Sequence, residues 1–279
     1  MALSEVFESP LEELLANLDL EALDADLFLG QPGSGEGRLF GGMVAAQCVV
    51  AAGRTVDSER SLHSLHAYFL RPGRHDVPLR FVVDRIRDGR TFTTRRVKAH
   101  QAGEVIFNLS ASFCLPEPGI AHQDPMPAAP PPEALQDWEE IRAHLPGAPP
   151  RMDSPVEVRM ADPWTEAASP ARQRSWMRVK GRLPDDRLVH TAMLVYATDR
   201  TLLGTAARPH AIAWAERQAV SLDHAVWIHH PVQLDGWLLY ASESPIAHAA
   251  HGLIFGGVYY PDGRRLASVA QEGLIRRRR

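Results

Sequence analysis

The chain has 279 residues, 45% of them hydrophobic, and carries a net charge of −4 at pH 7. That supplies apolar surface for two cores of ordinary size, and the near balance of charge excludes the basic field of a nucleic-acid binder. The one basic block, Arg276 to Arg279, reads as a solvated tail.

The N-terminal stretch MALSEVFESPLEELLANLDL is acidic and amphipathic, not basic and then apolar, so it is not a signal peptide, and no segment has the run of about eighteen apolar residues that a membrane span needs. A cytoplasmic protein without a membrane partner is expected. The two cysteines, Cys48 and Cys114, each lie in an apolar run and read as buried, reduced thiols. From Leu39, LFGGMVAAQCVVAAGR reads as an alanine-rich helix opened by Gly41 and Gly42 and stopped at Gly53. Four strands follow, over 62–70, 79–89, 91–101 and 104–115, separated by RPG, DG and AG turn signals.

Residues 116–150 are dense in proline, which forbids a regular element apart from a short helix around Pro132 to His144, and they read as a linker. Beyond it VEVRM and RQRSWMRVKGRL read as strands. PDDRLVHTAMLVYATDRTLLG (184–204) then reads as one helix, with Pro184 and two aspartates at its start and Gly204 at its end. Strands resume at AVSLDHAVWIHHP, WLLYASESPIAHAAHG, LIFGGVYYPDG and RRLASVAQEGLI.

The two halves repeat. LHAYFLRP (65–72) lies over HAVWIHHP (224–231) at an offset of 159, and Gly103 of HQAGEVIFNLSASF lies over Gly263 of PDGRRLASVAQEG at 160. An offset of that size suits a duplicated domain, not a solenoid. A helix wrapped by an antiparallel sheet, present twice, is an α+β double hotdog, here expected as an N-terminal unit at 1–115, the linker, and a C-terminal unit at 151–279. Such a pair places a pocket where the halves meet.

The segments LFGGMVAAQ, LHSLHAYFLRPG, RDGRTFTTRRVKAHQAGEVIFNLSASF, YATDRTLL, LDHAVWIHHP and SVAQEGLIR, in that order, resemble the acyl-CoA thioesterase II family of bacterial and peroxisomal acyl-CoA hydrolases. The resemblance runs from about residue 5 to residue 276 and implies the same fold, acyl-CoA as substrate, and no metal or organic cofactor. It also implies three catalytic positions. The family's helix aspartate falls on Asp199, a strand threonine falls on Ser221, which is a departure, and a strand glutamine falls on Gln271. A second departure is Met43, where many relatives have glutamine.

The residues themselves support a role for Asp199. On a helix, Leu188, Ala192, Val195, Asp199 and Leu203 share one face, so the carboxylate interrupts a core stripe and must be paired or desolvated. Desolvation raises a carboxyl pKa toward the range a general base needs near neutral pH. Asp199 is then the base toward a water held by Ser221 and Gln271, with amides at Gly41 and Gly42 as the place to look for an oxyanion site. His63, which matches a family histidine, is a secondary candidate. Strand alternation puts Ser221 and Asp223 on one face and Leu222 and His224 on the other, leaving Asp223 and His224 as support for the fold or pocket.

Thirteen histidines invite a metal reading, but His63 and His66, and His248 and His251, are three apart on strands and point to opposite faces. No G-x-S-x-G elbow occurs, and GSGEG at 33–37 lacks the preceding strand of a nucleotide-binding loop. Two other classes remain open at this point: a non-catalytic acyl-CoA binding protein, and a hotdog enoyl-CoA hydratase recruiting His63 or His224. Further association to a homodimer or homotetramer is expected of hotdog units.

Overall fold

The computed structural model describes residues 7–148, 153–162, 164–165 and 167–278; Arg279 and the end of the proline-rich stretch at Pro149 and Pro150 lie outside the described residues. Helix α1 (Pro10–Leu18), capped by the Ser9 hydroxyl, and the hairpin β1 (Glu21–Asp24) and β2 (Leu27–Gly30) lead into the central helix α2 (Gly41–Gly53). The meander β3 (Ser61–Phe69), β4 (Leu79–Asp88), β5 (Phe92–Gln101) and β6 (Glu104–Cys114) completes the first half. The proline-rich stretch contains the short helix α3 (Trp138–Ala143). The second half comprises β7 (Val156–Met160), β8 (Arg172–Val179), helix α4 (Arg187–Thr198), the single turn α5 (Gly204–Ala207), and strands β9 (Arg217–Ser221), β10 (Asp223–Ile228), β11 (Leu238–His248), β12 (His251–Tyr259) and β13 (Arg265–Arg277).

The strands form one antiparallel sheet in the order β1-β2-β4-β5-β6-β3-β10-β13-β12-β11-β8-β7, with β9 also on β13. Read outward from its middle, each half gives the same series, and the join is the β3–β10 ladder. There His66 faces Ala225. Because 225 lies 159 beyond 66, the repeat offset makes these two residues equivalents of each other, which is the signature of a pseudo-twofold axis passing between them. The architecture is the double hotdog.

Two helices fill the sheet's concave side. Helix α2 is apolar almost all round, and every residue from Val44 to Ala52 is buried, as such a helix must be. It packs antiparallel to α4. A Cβ on Gly42 would stand 2.8 Å from the Tyr196 carbonyl oxygen, and one on Gly53 would overlap Leu188, so the two glycines set how closely the helices approach. The N-terminus of α2 therefore meets the C-terminus of α4. At the other end of α2, the buried Arg95 guanidinium on β5 donates to the Thr55 carbonyl and hydroxyl and to Asp88, placing a cation where the helix dipole is negative.

Three details differ from the pattern reading. The helix expected over 184–204 stops at Thr198, where Tyr240 Oη donates to the Thr198 carbonyl at 3.1 Å and Arg200 is drawn to Glu139 at 3.1 Å; the chain turns, and α5 restarts at Gly204. The strand expected over 219–231 is broken at Leu222 into β9 and β10. The arginine run is not a tail as far as Arg277, because β13 extends through it and Arg277 pairs with Glu216. The proline-rich stretch lies over the second half's sheet, where Trp176 Nε1 donates to the Pro130 carbonyl and Met126, Ala129 and Leu135 pack against Trp176, Leu239 and Tyr259.

Candidate active site

The break at Leu222 builds the site. Ser221 faces Gly273, while Ala225 faces Ala270, so β9 and β10 spend one more residue than β13 over the same span: a β-bulge. The first half carries the same device, with Leu62 facing Phe113 and Ser64 facing Ser112 across a skipped His63. The extra residue resets the alternation. Ser221 and His224, three apart, consequently reach the same Gln271, in place of the expected pairing of Ser221 with Asp223 on one face. Gln271 Nε2 donates to Ser221 Oγ at 2.5 Å, and its Oε1 lies 2.9 Å from His224 Nδ1. Asp223 turns away to accept the Glu272 amide at 2.6 Å, fastening the bulge.

Asp199 is the C-cap of α4 and lies across from this strand. Its Oδ1 accepts from Gln271 Nε2 at 3.3 Å, and the Ser221 hydroxyl and the Gly42 amide also bond its carboxylate. Asp199 keeps some accessible surface, yet its carboxylate sits behind enough protein that loss of water outweighs these donors and pushes the pKa up to about 7. Two helix ends act on it in opposite senses: the carbonyls ending α4 disfavour negative charge, while the amides opening α2 favour it. A Cβ on Gly41 would overlap the Phe69 ring and stand 3.1 Å from Asp199 Oδ2, so glycine there lets α2 begin against the carboxylate.

The structure thus brings together Asp199, Ser221, Gln271, Gly41 and Gly42, from both halves. It does not bring His63. That histidine bonds Ser112 Oγ at 2.8 Å, and burial lowers its pKa. It lies six residues before Phe69 on β3, roughly 20 Å along the strand from the ring that marks the site. Among the described residues no three His, Cys, Asp or Glu side chains group as metal ligands, and no helix is long and apolar enough to cross a membrane.

The residues that pattern reading left in the background are His224 and Thr198. Neither has any exposed surface, and His224 Nε2 lies 3.0 Å from Thr198 Oγ1. Burial lowers the His224 pKa to about 4 against a raising bond from Gln271, so the ring is neutral near pH 7. The repeat could have revealed it. At the equivalent positions of the first half stand Leu62, Leu65 and Ala111, all buried, where the second half has Ser221, His224 and Gln271. Arg54 caps α2 where Asp199 caps α4. One half is apolar at these strand positions, and the other carries a connected polar cluster.

Residues 152–274 match the family model described as acyl-CoA thioesterase, and residues 31–114 match the acyl-CoA thioesterase N-terminal domain. The chain is 38% identical to acyl-coenzyme A thioesterase 8 of Mus musculus, over 93% of this chain and 87% of that protein. It is 35% identical to acyl-CoA thioesterase 2 of Haemophilus influenzae, over 95% and 98% of the two chains. Among solved structures it is similar to an acyl-CoA thioesterase II, TesB2, from Mycobacterium marinum, at 41% identity and a TM-score of 0.80, covering 95% of this chain and 97% of that one. Alignment nearly end to end with these proteins, in sequence and in fold, makes this chain a member of the acyl-CoA thioesterase family.

Proposed function

We propose that the protein hydrolyses fatty acyl-CoA to a free fatty acid and coenzyme A by direct attack of water, with Asp199 as general base and Ser221 and Gln271 holding the water. The observation that carries this reading is the Asp199 carboxylate, raised to about 7 and bonded by both Gln271 and Ser221. A base of that strength is substantially ionised near neutral pH and can still accept a proton as the attack proceeds. The water oxygen bonds to the acyl carbon, its proton passes to Asp199, and the carbonyl electrons move to oxygen. When that electron pair returns, the C–S bond breaks and coenzyme A leaves as the thiolate, taking a proton from Asp199 or from solvent.

The opening amides of α2, at Gly41 and Gly42, carry the partial positive charge a developing oxyanion requires. The Gly42 amide is engaged with Asp199 in the resting site, and its hold on the carboxyl weakens once Asp199 takes the proton. The functional unit in this reading is the pair of halves, 1–115 and 151–279 joined by 116–150, because Gly42 and Asp199 come from opposite ones. Acyl-CoA is the only partner the chemistry needs, without nucleic acid, membrane or cofactor. The enzyme is read as cytoplasmic and as a homodimer or homotetramer, the latter tested by light scattering of the purified chain.

Asp199→Asn tests the mechanism. Loss of a general base is expected to lower thiol release from saturated acyl-CoA by about 10²- to 10⁴-fold with the fold intact. Wild-type turnover by a folded Asp199→Asn enzyme would overturn the assignment. Water addition to an enoyl-CoA, or binding without thiol release, would identify a hydratase or a carrier instead.

A further inference from the structure

An amide side chain has no intrinsic reason to present its nitrogen rather than its oxygen to a given neighbour. Gln271 is only 1% exposed and is held on both sides: Asp199 and Ser221 at one end of the amide, His224 at the other. Flipped, it would set its oxygen against the Asp199 carboxylate, acceptor against acceptor. What decides its orientation is the proton on His224. A neutral imidazole has one N–H and one acceptor nitrogen. With the proton on Nδ1, the ring donates to Gln271 Oε1 at 2.9 Å, and Nε2 becomes an acceptor 3.0 Å from Thr198 Oγ1, whose one proton also has the Val195 carbonyl at 3.0 Å. With the proton on Nε2, the Nδ1 lone pair would face the Gln271 oxygen. Only the first arrangement sets a donor against an acceptor at both ends of the Gln271 amide while Asp199 is ionised.

We propose that His224 is a positioning residue for the hydrolysis: as the Nδ1–H tautomer it holds the Gln271 amide with its nitrogen toward Asp199 and Ser221. It touches neither substrate nor water itself, since it has no exposed surface. The direction of donation runs from His224 Nδ1 to Gln271 Oε1, and from Gln271 Nε2 to the base and the serine. The bulge at Leu222 makes this possible, because without it His224 and Ser221 would lie on opposite faces. The first half, with Leu65 in the place of His224 and Ala111 in the place of Gln271, has no amide to orient and no ring to orient it.

This inference rests on the general-base reading, and its test keeps the two apart. Steady-state thiol release from decanoyl-CoA is measured for His224→Leu, His224→Gln, His224→Asn and Gln271→Ala, and for the His224→Leu, Gln271→Ala double variant. His224→Leu and His224→Gln should lower kcat by about tenfold or more with KM changed by less than about twofold, the mark of a group that acts only on the chemical step. His224→Asn, whose amide N–H can replace the Nδ1 donor, should recover most of kcat. The double variant should turn over no more slowly than Gln271→Ala alone. Wild-type kcat in His224→Leu, no advantage of Asn over Leu, or additive losses in the double variant would each overturn the proposal. Nitrogen-15 spectra of the histidines in the wild-type chain give a reading that does not depend on the variants folding: a protonated Nδ1 on His224 is expected, and a protonated Nε2 overturns the assignment. If Asp199→Asn keeps full turnover, the general-base reading fails, whatever tautomer His224 shows.

Discussion

Gln271 Nε2 donates to Asp199 Oδ1 at 3.3 Å, joining a strand of the second half to the C-cap of its central helix. The bond runs from a neutral amide to a carboxylate that burial has made weakly acidic. It lowers the Asp199 pKa without cancelling the desolvation that raises it. The site therefore holds its base poised instead of fully committed to either protonation state, and this balance gives the following expectations.

Activity should climb through an acid limb near pH 7, because Asp199 must be ionised to accept a proton and its pKa is about 7. A pH profile of kcat/KM from pH 5 to 9 measures it. A limb at the pH of an ordinary carboxyl, near about 4, would mean that Asp199 is not the titrating base.

Stability should follow the same group with the opposite sense. The folded pKa lies above the unfolded one, so the contribution of Asp199 is fully present below about pH 4 and is lost as pH rises through about 7. Asp199→Asn, which cannot ionise, should raise Tm relative to wild type at pH 8 and leave it nearly unchanged at pH 4. Thermal melts at the two pH values check the sign.

Ser221→Ala removes the hydroxyl that bonds both Gln271 and the base, and is expected to lower kcat by roughly tenfold or more. Ser221→Thr keeps the hydroxyl and adds a methyl that mainly restricts χ1, so its kcat should stay close to wild type. Steady-state kinetics of the two variants side by side separates loss of the hydroxyl from change of shape.

Gly42→Ala sets two effects against each other. Alanine favours the helix by about 1 kcal/mol, but its Cβ would press the Tyr196 carbonyl at 2.8 Å and the Phe40 ring. Neither is the loose end of a flexible chain, so overpacking at about 1–3 kcal/mol should win. The variant is expected to be less stable in denaturant melts and also slower, because separating α2 from α4 draws the Gly42 amide away from Asp199.

Arg95→Met gives the contrast. It strips buried bonds from the Thr55 carbonyl and hydroxyl at the far end of α2, and should cost about 2–4 kcal/mol of stability. Its kcat at a temperature where it is folded should match wild type.

Much of this architecture was legible as pattern. The meander strands, the proline-rich connection and the repeat offset follow from alternation and turn residues, and the offset alone pairs His66 with Ala225 at the centre of the sheet. The end of α4 was not legible, because Leu203 continues the apolar period past Thr198 while the forces that stop the helix, from Tyr240 and Glu139, are tertiary. The convergence of Ser221 and His224 was hidden for a related reason. Alternation assumes an unbroken strand, and a bulge is set by the partner strand's register. The contrast of Leu62, Leu65 and Ala111 with Ser221, His224 and Gln271 was nevertheless present in the aligned halves. A polar residue standing where its own duplicate is buried and apolar is a stronger pointer than a polar residue in a strand.

The antiparallel docking of α2 on α4 divides labour between the duplicates. One half contributes the carboxylate, hydroxyl and amide; the other contributes only the backbone of a helix start and the space its two glycines leave open. Two equivalent halves in this way present a single buried polar cluster at their seam, and the half that lacks it serves as the wall against which the other half's charge is set.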